Sequence, residues 1–283
     1  MNRFKESFIL TALLCLPYIA HAQEKALQPQ IILEPAKPGP GDLLVVTIKN
    51  APGTPEGKFN NKKIYFNPSK DSFKAIVAID YFTEPREYDL EISSNGSTLK
   101  QVVEVIKKEY EVQQLTLPKH MVELSAKDEA RAERDQQKMA AIWPNETGRS
   151  WTGDFVNPLE GEIITPFGVR RIINNIPKSP HTGVDVKGNK GDKIIAPNNA
   201  VVALVDNQFF AGKALVLNHG QGIYTMFFHL SKVLVKPGQA VKKGDVIALV
   251  GSTGRATGPH LHWGARVQGA RIDPLELVRL KLE

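Results

Sequence analysis

Alternating apolar and polar positions dominate the first third of the chain. Apolar side chains occupy every second position from Phe73 to Ile79, which predicts a strand with one buried face. Other short apolar runs, bounded by Pro, Gly and Asn, lie at 31–33, 43–48, 63–66, 88–92 and 97–106. Strands at this spacing predict a small antiparallel sandwich, immunoglobulin-like in outline, over residues 23–112.

A charged segment that favours helix follows the predicted sandwich. Ser125 and, three residues later, Asp128 match a variant of the capping box, and helix-forming residues run from Ala126 to Ile142. Pro144 ends the pattern. Because apolar residues are sparse in this helix, we expect residues 113–153 to be a connector with a solvated linker helix.

The last part of the chain, residues 154–283, is β-rich and divided by glycines. Strand-like runs lie at 162–165, 193–196, 201–206, 214–218, 225–229, 246–250 and 260–267. Only residues 274–280 show a helical period. The predicted fold class is therefore mainly β, with a second antiparallel β domain after the connector.

The first 22 residues predict export. Arg3 and Lys5 precede an apolar run at 8–19 and a small-x-small signal at 20–22. The run is shorter than the about 20 residues that a permanent membrane span needs. We expect a signal peptide over residues 1–22 and a periplasmic protein, with secretion as the alternative. The only cysteine, Cys15, lies inside this segment, so the expected mature chain has no disulfide.

The charge of the chain does not identify a partner. The formal net charge is +6, a mild basic excess that suits an anionic wall polymer among many others. Basic and aromatic residues do not interleave as they do in nucleic-acid binders, and no later segment is long and apolar enough to cross a bilayer. We expect neither a nucleic-acid partner nor a membrane span, and the oligomeric state stays open.

Histidines provide the chemistry of the last part of the chain. His260 and His262 would share one face of a strand, since successive side chains alternate. His181 and Asp185 are about 13 Å apart on a straight strand, so the chain must bend for both to reach one ion. Pro180 and Gly183 are residue types that allow such a bend.

Taken together, these residues match the needs of a catalytic zinc. Such an ion takes three N or O protein ligands and an open position, which His181, Asp185 and one histidine of the His260–His262 pair supply. Few carboxylates argue against magnesium or calcium, and the lack of cysteine after residue 22 excludes zinc-finger and iron–sulfur sites. His229 shares a strand face with Phe227 by the alternation, which taken alone favours a buried core histidine.

The order of these motifs resembles the lysostaphin-type zinc endopeptidases. The resemblance covers roughly residues 160–277 and rests on three segments and their flanks. These are His181-x-x-x-Asp185, His229-Leu230-Ser231, and the run from Gly251-Ser252-Thr253-Gly254 to His260-Leu261-His262. The resemblance implies His181, Asp185 and His262 as zinc ligands. It implies His229 and His260 as catalytic residues that line the site without binding the metal, and gives no role to His219.

The resemblance implies an exported zinc metallo-endopeptidase that cuts peptide cross-links of peptidoglycan, here D-alanyl–diaminopimelate bonds. One alternative is a non-catalytic family member that activates wall amidases, but this chain keeps both histidines and all three ligands. Residues 235–245 also resemble half of a biotinyl or lipoyl carrier barrel, although no lysine stands in the required Met-Lys-like context.

The segment before the predicted peptidase domain also suggests a hypothesis of control. The acidic residues of the connector are Glu123, Asp128, Glu129, Glu133 and Asp135. Their carboxylates would restrain the enzyme if they approached the metal or the basic residues Arg170 and Arg171. The alternatives are a segment that delivers the enzyme to the wall and a passive spacer.

Overall fold

The computed structural model describes residues 28–116 and 124–281. Within these ranges the protein is mainly β, with two helices, as the sequence predicts. The predicted signal peptide, with Cys15, and residue Glu123 lie outside the described residues. No helix in the described part of the chain is both long and apolar enough to cross a bilayer.

Two four-stranded antiparallel sheets form the first part of the protein. The strands are β1 (Gln30–Glu34), β2 (Leu43–Lys49), β3 (Glu56–Phe59), β4 (Lys62–Ile64), β5 (Phe66–Ser69), β6 (Ser72–Ala78), β7 (Glu87–Ser94) and β8 (Ser97–Glu104). Their orders are β1-β2-β6-β5 and β4-β3-β7-β8. Leu44 and Val77 of the first sheet and Leu90 and Ile92 of the second are at most 1% exposed and share one apolar cluster. The predicted sandwich is confirmed.

The predicted strand at 63–66 is instead two strands in different sheets. β4 ends at Ile64 and β5 begins at Phe66, so the chain crosses between the sheets at Tyr65. Pro68, which looked like a strand stop, lies within β5. Proline has no backbone N–H to donate. Because β5 is an edge strand, this leaves no hydrogen bond to a neighbouring strand unmade.

The connector contains a strand and a helix. β9 (Val112–Leu115) was not predicted and pairs in parallel with a strand of the last region. α1 (Ala126–Ala140) begins at the predicted cap, where the Ser125 hydroxyl accepts a hydrogen bond from the Asp128 backbone N–H at 3.2 Å. The helix is not solvated all round, because Asp135 is buried and Met139 packs against the apolar cluster that contains Ile142.

An eight-stranded antiparallel sheet forms the centre of the last region. The strands of this region are β10 (Ile163–Thr165), β11 (Arg170–Ile173), β12 (Ile176–Pro177), β13 (Gly183–Lys187), β14 (Lys193–Ile195), β15 (Ala200–Gln208), β16 (Gly212–Gly220), β17 (Ile223–Leu230), β18 (Lys232–Val233), β19 (Ala240–Val241), β20 (Val246–Leu249), β21 (His260–Val267) and β22 (Ala270–Ile272), followed by α2 (Pro274–Arg279). The large sheet has the order β10-β13-β21-β17-β16-β15-β19, and β22 pairs with β21. Smaller sheets join β12-β11-β9 and β14-β20-β18.

The large sheet has two different faces. Val184, Leu261 and Trp263 are at most 1% exposed and belong to the main core of this region. Asp185 and His262 alternate with these residues along β13 and β21, so their side chains lie on the opposite face. The sheet thus separates an apolar core from a polar face that carries the candidate ligands.

The sandwich packs directly on the last region. Leu43 and Ile76 of the sandwich share an apolar cluster with Trp151 and Ala265. Backbone hydrogen bonds also cross the boundary, including one from the Asp273 N–H to the Gly41 carbonyl at 2.9 Å. The two regions therefore share a core.

Candidate metal centre

Neighbouring strands place Asp185 beside His262. The two residues are directly opposite each other in the antiparallel pair β13–β21. Side chains at such positions point to the same face of the sheet and are close enough to touch. Asp185 Oδ1 lies 2.9 Å from His262 Nδ1.

His181 completes the cluster from the loop before β13. Its backbone N–H donates to the Val169 carbonyl at 2.9 Å, and its own carbonyl accepts from the Gly168 N–H at 2.8 Å. These bonds hold the bend that the spacing required. His181 Nε2 lies 2.9 Å from Asp185 Oδ1 and 3.0 Å from His262 Nδ1.

Gly183 makes room for the cluster. A Cβ at this position would lie 2.6 Å from His262 Nε2 and 2.6 Å from the Trp263 carbonyl oxygen. Sequence reasoning assigned Gly183 to the bend, whereas the structure shows that the missing side chain is what lets β13 approach the imidazole of His262.

We therefore expect Gly183→Ala to weaken metal binding by roughly 10–100-fold. This is the range found when a residue that orients a metal ligand is mutated. The added methyl group must displace His262 or separate β13 from β21. Zinc titration of the wild type and Gly183→Ala measures the effect. Gly148→Ala is a control for replacing a glycine, since no atom lies within 4 Å of a Cβ there and its φ is not positive. Unchanged affinity in Gly183→Ala would show that His262 tolerates the displacement.

The three donor atoms fit a single ion. The atoms that would bind the metal are His181 Nε2, Asp185 Oδ1 and His262 Nδ1. They lie within 4.8 Å of one another and form a triangle with edges of 2.9, 2.9 and 3.0 Å. The centre of such a triangle is nearer to its corners than zinc bond lengths of about 2.0–2.2 Å, so one ion beside its plane can reach all three. Two imidazole nitrogens and one carboxylate oxygen are also a donor set that suits zinc.

The hydrogen bonds of His181 require a positive charge at its Nε2. Its Nδ1 lies 2.9 Å from the Pro166 carbonyl oxygen, which only accepts, so Nδ1 carries the proton and donates. Without a second proton on the ring, Nε2 faces the Asp185 carboxylate oxygen as another acceptor at 2.9 Å. Two acceptors at this distance require a positive charge between them, either a second proton on the ring or a bound cation.

Asp185 is held in its charged form. Burial alone would raise the pKa of its carboxyl, but the hydrogen-bonded imidazoles of His181 and His262 outweigh burial and hold the pKa well below its usual range. The carboxylate is 12% exposed, so its charge is little screened by water. This charge attracts a cation to the cluster.

Two further histidines flank the cluster, and each binds a backbone carbonyl through Nδ1 rather than Nε2. His260 donates from Nδ1 to the Gly258 carbonyl at 2.9 Å, and its Nε2 lies 3.8 Å from Asp185 Oδ1. His229 donates from Nδ1 to the Thr253 carbonyl at 2.9 Å. The centres of the two rings are 4.8 Å apart. Burial is the main cause that lowers the pKa of His229 to about 4, so this ring is neutral at pH 7.

The alternation predicts that His229 shares the core face of Phe227, and this prediction is wrong. Phe227 is fully buried in the core, whereas the His229 ring faces His260. The backbone at His229 has a φ of 62°, and the pairing of β16 with β17 is irregular at this point. A bulge changes which way a side chain points, so the strict alternation fails here.

Sequence reasoning missed Phe228 as a support of the cluster. Phe228 is opposite His262 in the pair β17–β21, and its ring lies parallel to that imidazole at 5.2 Å between centres. The residue type alone gave no signal. Only the register of β17 against β21 places this ring there.

The remaining residues named from the sequence lie elsewhere. His219 is fully buried and bonded to the Asn199 carbonyl and the Thr225 hydroxyl, which suits a structural role. Asp135, one of the connector acids, accepts a hydrogen bond from the Phe209 backbone N–H. Arg170 and Arg171 lie in β11, and the residues paired with them belong to β9 of the connector.

Comparisons with known proteins point to one family. Residues 179–274 match peptidase family M23. A crystal structure from Pseudomonas aeruginosa assigned to peptidase M23 superposes with a TM-score of 0.70 at 30% identity, covering 86% of this chain and 95% of that one.

Curated relatives match over a shorter stretch. A 97-residue stretch, 34% of this chain, is 47% identical to an uncharacterized metalloprotease of Haemophilus influenzae, and 98 residues, 35% of this chain, are 40% identical to the peptidoglycan DD-endopeptidase ShyA of Vibrio cholerae. The chain spans only 20% and 23% of the length of these two proteins.

Proposed function

The chain belongs to peptidase family M23, and on that premise we propose that it is an exported zinc metallo-endopeptidase that hydrolyses peptide cross-links of peptidoglycan. The observation that carries the proposal is the triangle of His181, Asp185 and His262 donor atoms, with the Nε2 atoms of two further histidines beside it. The similarity to a peptidoglycan DD-endopeptidase supports the choice of substrate.

His181 Nε2, Asp185 Oδ1 and His262 Nδ1 would hold the zinc. A bound zinc ion supplies a Lewis acid for the scissile carbonyl and lowers the pKa of water from about 15.7 toward 7. Pro166 fixes the tautomer of His181, and the stack of Phe228 on His262 fixes the plane of the second ring.

His229 and His260 handle the proton and the negative charge of the reaction. Each donates its Nδ1–H to a backbone carbonyl, so each presents Nε2 to the substrate. We assign to one of them, with a lone pair on Nε2, the removal of a proton from the attacking water. The other, which must carry a second proton on Nε2, donates a hydrogen bond to the oxyanion formed from the peptide carbonyl. The Nε2 that took the proton from water then passes it to the leaving amine.

The bond that we propose is the D-alanyl–diaminopimelate cross-link. The name of the Vibrio cholerae relative supports a DD-endopeptidase, and the predicted signal peptide over residues 1–22 supports action in the periplasm. The expected mature chain has no cysteine after residue 15, so it needs no disulfide in that compartment.

Digestion of purified cell walls tests this function. We expect the zinc-loaded protein to convert cross-linked muropeptide dimers from diaminopimelate-type walls into monomers, as mass spectrometry of the products will show. Chelation should stop the reaction and zinc should restore it, whereas walls with glycine bridges should stay uncut. Intact dimers, combined with faster digestion by an added amidase, would instead favour the non-catalytic activator.

A further inference from the structure

Helix α1 of the connector holds the hairpin turn between β15 and β16. Arg131, Asp135 and Lys138 recur at positions i, i+4 and i+7 and therefore lie on one side of the helix. Lys138 pairs with Asp206 near the end of β15 at 3.1 Å. The same helix also packs its apolar residue Met139 on the face of the large sheet that carries the candidate ligands.

Asp135 makes the most buried of these contacts. Its carboxylate is 12% exposed, and Oδ2 accepts a hydrogen bond of 2.7 Å from the Phe209 backbone N–H. Arg131 donates from its guanidinium to the Asn207 carbonyl at 3.1 Å. Phe209 opens the turn and Asn207 lies near the end of β15, so the helix holds a donor and an acceptor of the same bend.

The turn held by Asp135 leads directly to His229. The Ala211 carbonyl, two residues beyond Phe209, accepts a hydrogen bond of 2.8 Å from the His229 backbone N–H. The Phe210 carbonyl accepts one of 2.9 Å from the Arg255 N–H, which fixes the segment that contains Thr253. The Thr253 carbonyl in turn binds His229 Nδ1.

Both the backbone and the imidazole of His229 thus depend on this turn. Gly212 ends the turn at a φ of 62°, and a Cβ there would overlap the backbone of Thr253 and Gly254. Such close packing transmits a shift of the turn to its neighbours instead of absorbing it. His229 itself has a left-handed backbone, which persists only where the surroundings hold it.

We propose that Asp135 is a positioning residue for His229, acting through the Phe209 amide and the 209–211 turn. The connector helix then positions a residue of the site and is not a passive spacer. The effect on turnover rests on the proposed peptidase function, whereas the effect on the geometry of His229 does not.

Three substitutions in the full chain test the proposal. Asp135→Ala removes the acceptor, and Asp135→Asn keeps an acceptor oxygen without the charge. Glu133→Ala removes the same charge from an exposed position of the same helix. Turnover of a soluble cross-linked muropeptide gives kcat and KM. Metal analysis gives zinc content, and the ring-nitrogen NMR signals of His229 report its tautomer and surroundings without substrate.

We expect Asp135→Ala to lower kcat by roughly 10–100-fold, with KM and zinc content near those of the wild type, since a misplaced catalytic group costs turnover. The His229 signals should shift or broaden in this variant. Asp135→Asn should recover most of kcat, and Glu133→Ala should match the wild type.

The proposal is overturned if Asp135→Ala keeps both the kcat and the His229 signals of the wild type, or if Asp135→Asn loses as much as Asp135→Ala. If the wild type cuts no muropeptide, the peptidase function fails, and the His229 signals alone decide the positioning role. If Asp135→Ala does not fold, Arg131→Ala takes its place. Unchanged His229 signals in Arg131→Ala would then overturn the proposal.

Discussion

His229→Ala and His260→Ala should each keep the zinc of the wild type and hydrolyse peptidoglycan roughly 10²–10⁴-fold more slowly, the usual cost of losing general acid–base help. Neither Nε2 belongs to the triangle of metal-binding atoms, so we expect the zinc affinity to be unchanged. The rings are nonetheless beside it, with His260 Nε2 3.8 Å from Asp185 Oδ1. Muropeptide release per zinc-loaded chain is the quantity to measure.

The two variants need a check that the fold survives. His260 begins β21 and His229 lies near the end of β17, so each truncation leaves a gap beside a strand of the central sheet. Thermal unfolding of both variants, at matched zinc content, separates such damage from loss of chemistry. Turnover near that of the wild type in either folded variant would remove that histidine from the mechanism.

Asp185→Ala and His262→Ala should each lose the metal, and with it the activity. Each change deletes one of three donor atoms, so we expect the zinc affinity to fall by more than the roughly 10–100-fold that follows loss of a ligand's support. Asp185→Asn is the matched variant that keeps the shape of the side chain and removes its charge. Metal analysis after dialysis gives zinc per chain.

His260→Ala is the control for the ligand assignment, because His260 is two residues from His262 on the same strand face. Loss of zinc in His260→Ala as readily as in His262→Ala would show that the two histidines have been assigned the wrong roles. Retention of zinc in Asp185→Asn would show that the oxygen matters more than its charge.

The strands and the shared face of His260 and His262 could be predicted because they depend on local alternation. His260–Val267 is a strand with the predicted bounds, and its even-numbered side chains share one face. The combination of residues named His181 and Asp185, although they are about 13 Å apart on a straight strand, and the family resemblance then selected His262 rather than His260 as the third ligand. The bend itself depends on backbone bonds to Gly168 and Val169, which no local pattern reveals.

The errors have a common physical origin in long-range pairing. The orientation of His229 follows from an irregularity between β16 and β17, and strand β9 forms only because β11 lies beside it. Helix α1 looked solvated because its apolar residues are few. Its buried contact is made by a carboxylate, Asp135, which a hydropathy pattern counts as exposed.

Anomalous diffraction at the zinc absorption edge, on crystals of the zinc-loaded protein, would locate the ion among the candidate ligands. We expect one peak per chain within about 2.0–2.2 Å of His181 Nε2, Asp185 Oδ1 and His262 Nδ1, with His229 and His260 beyond bonding distance. A peak bonded to His229 or His260, or no peak at the Asp185 carboxylate, would contradict this assignment.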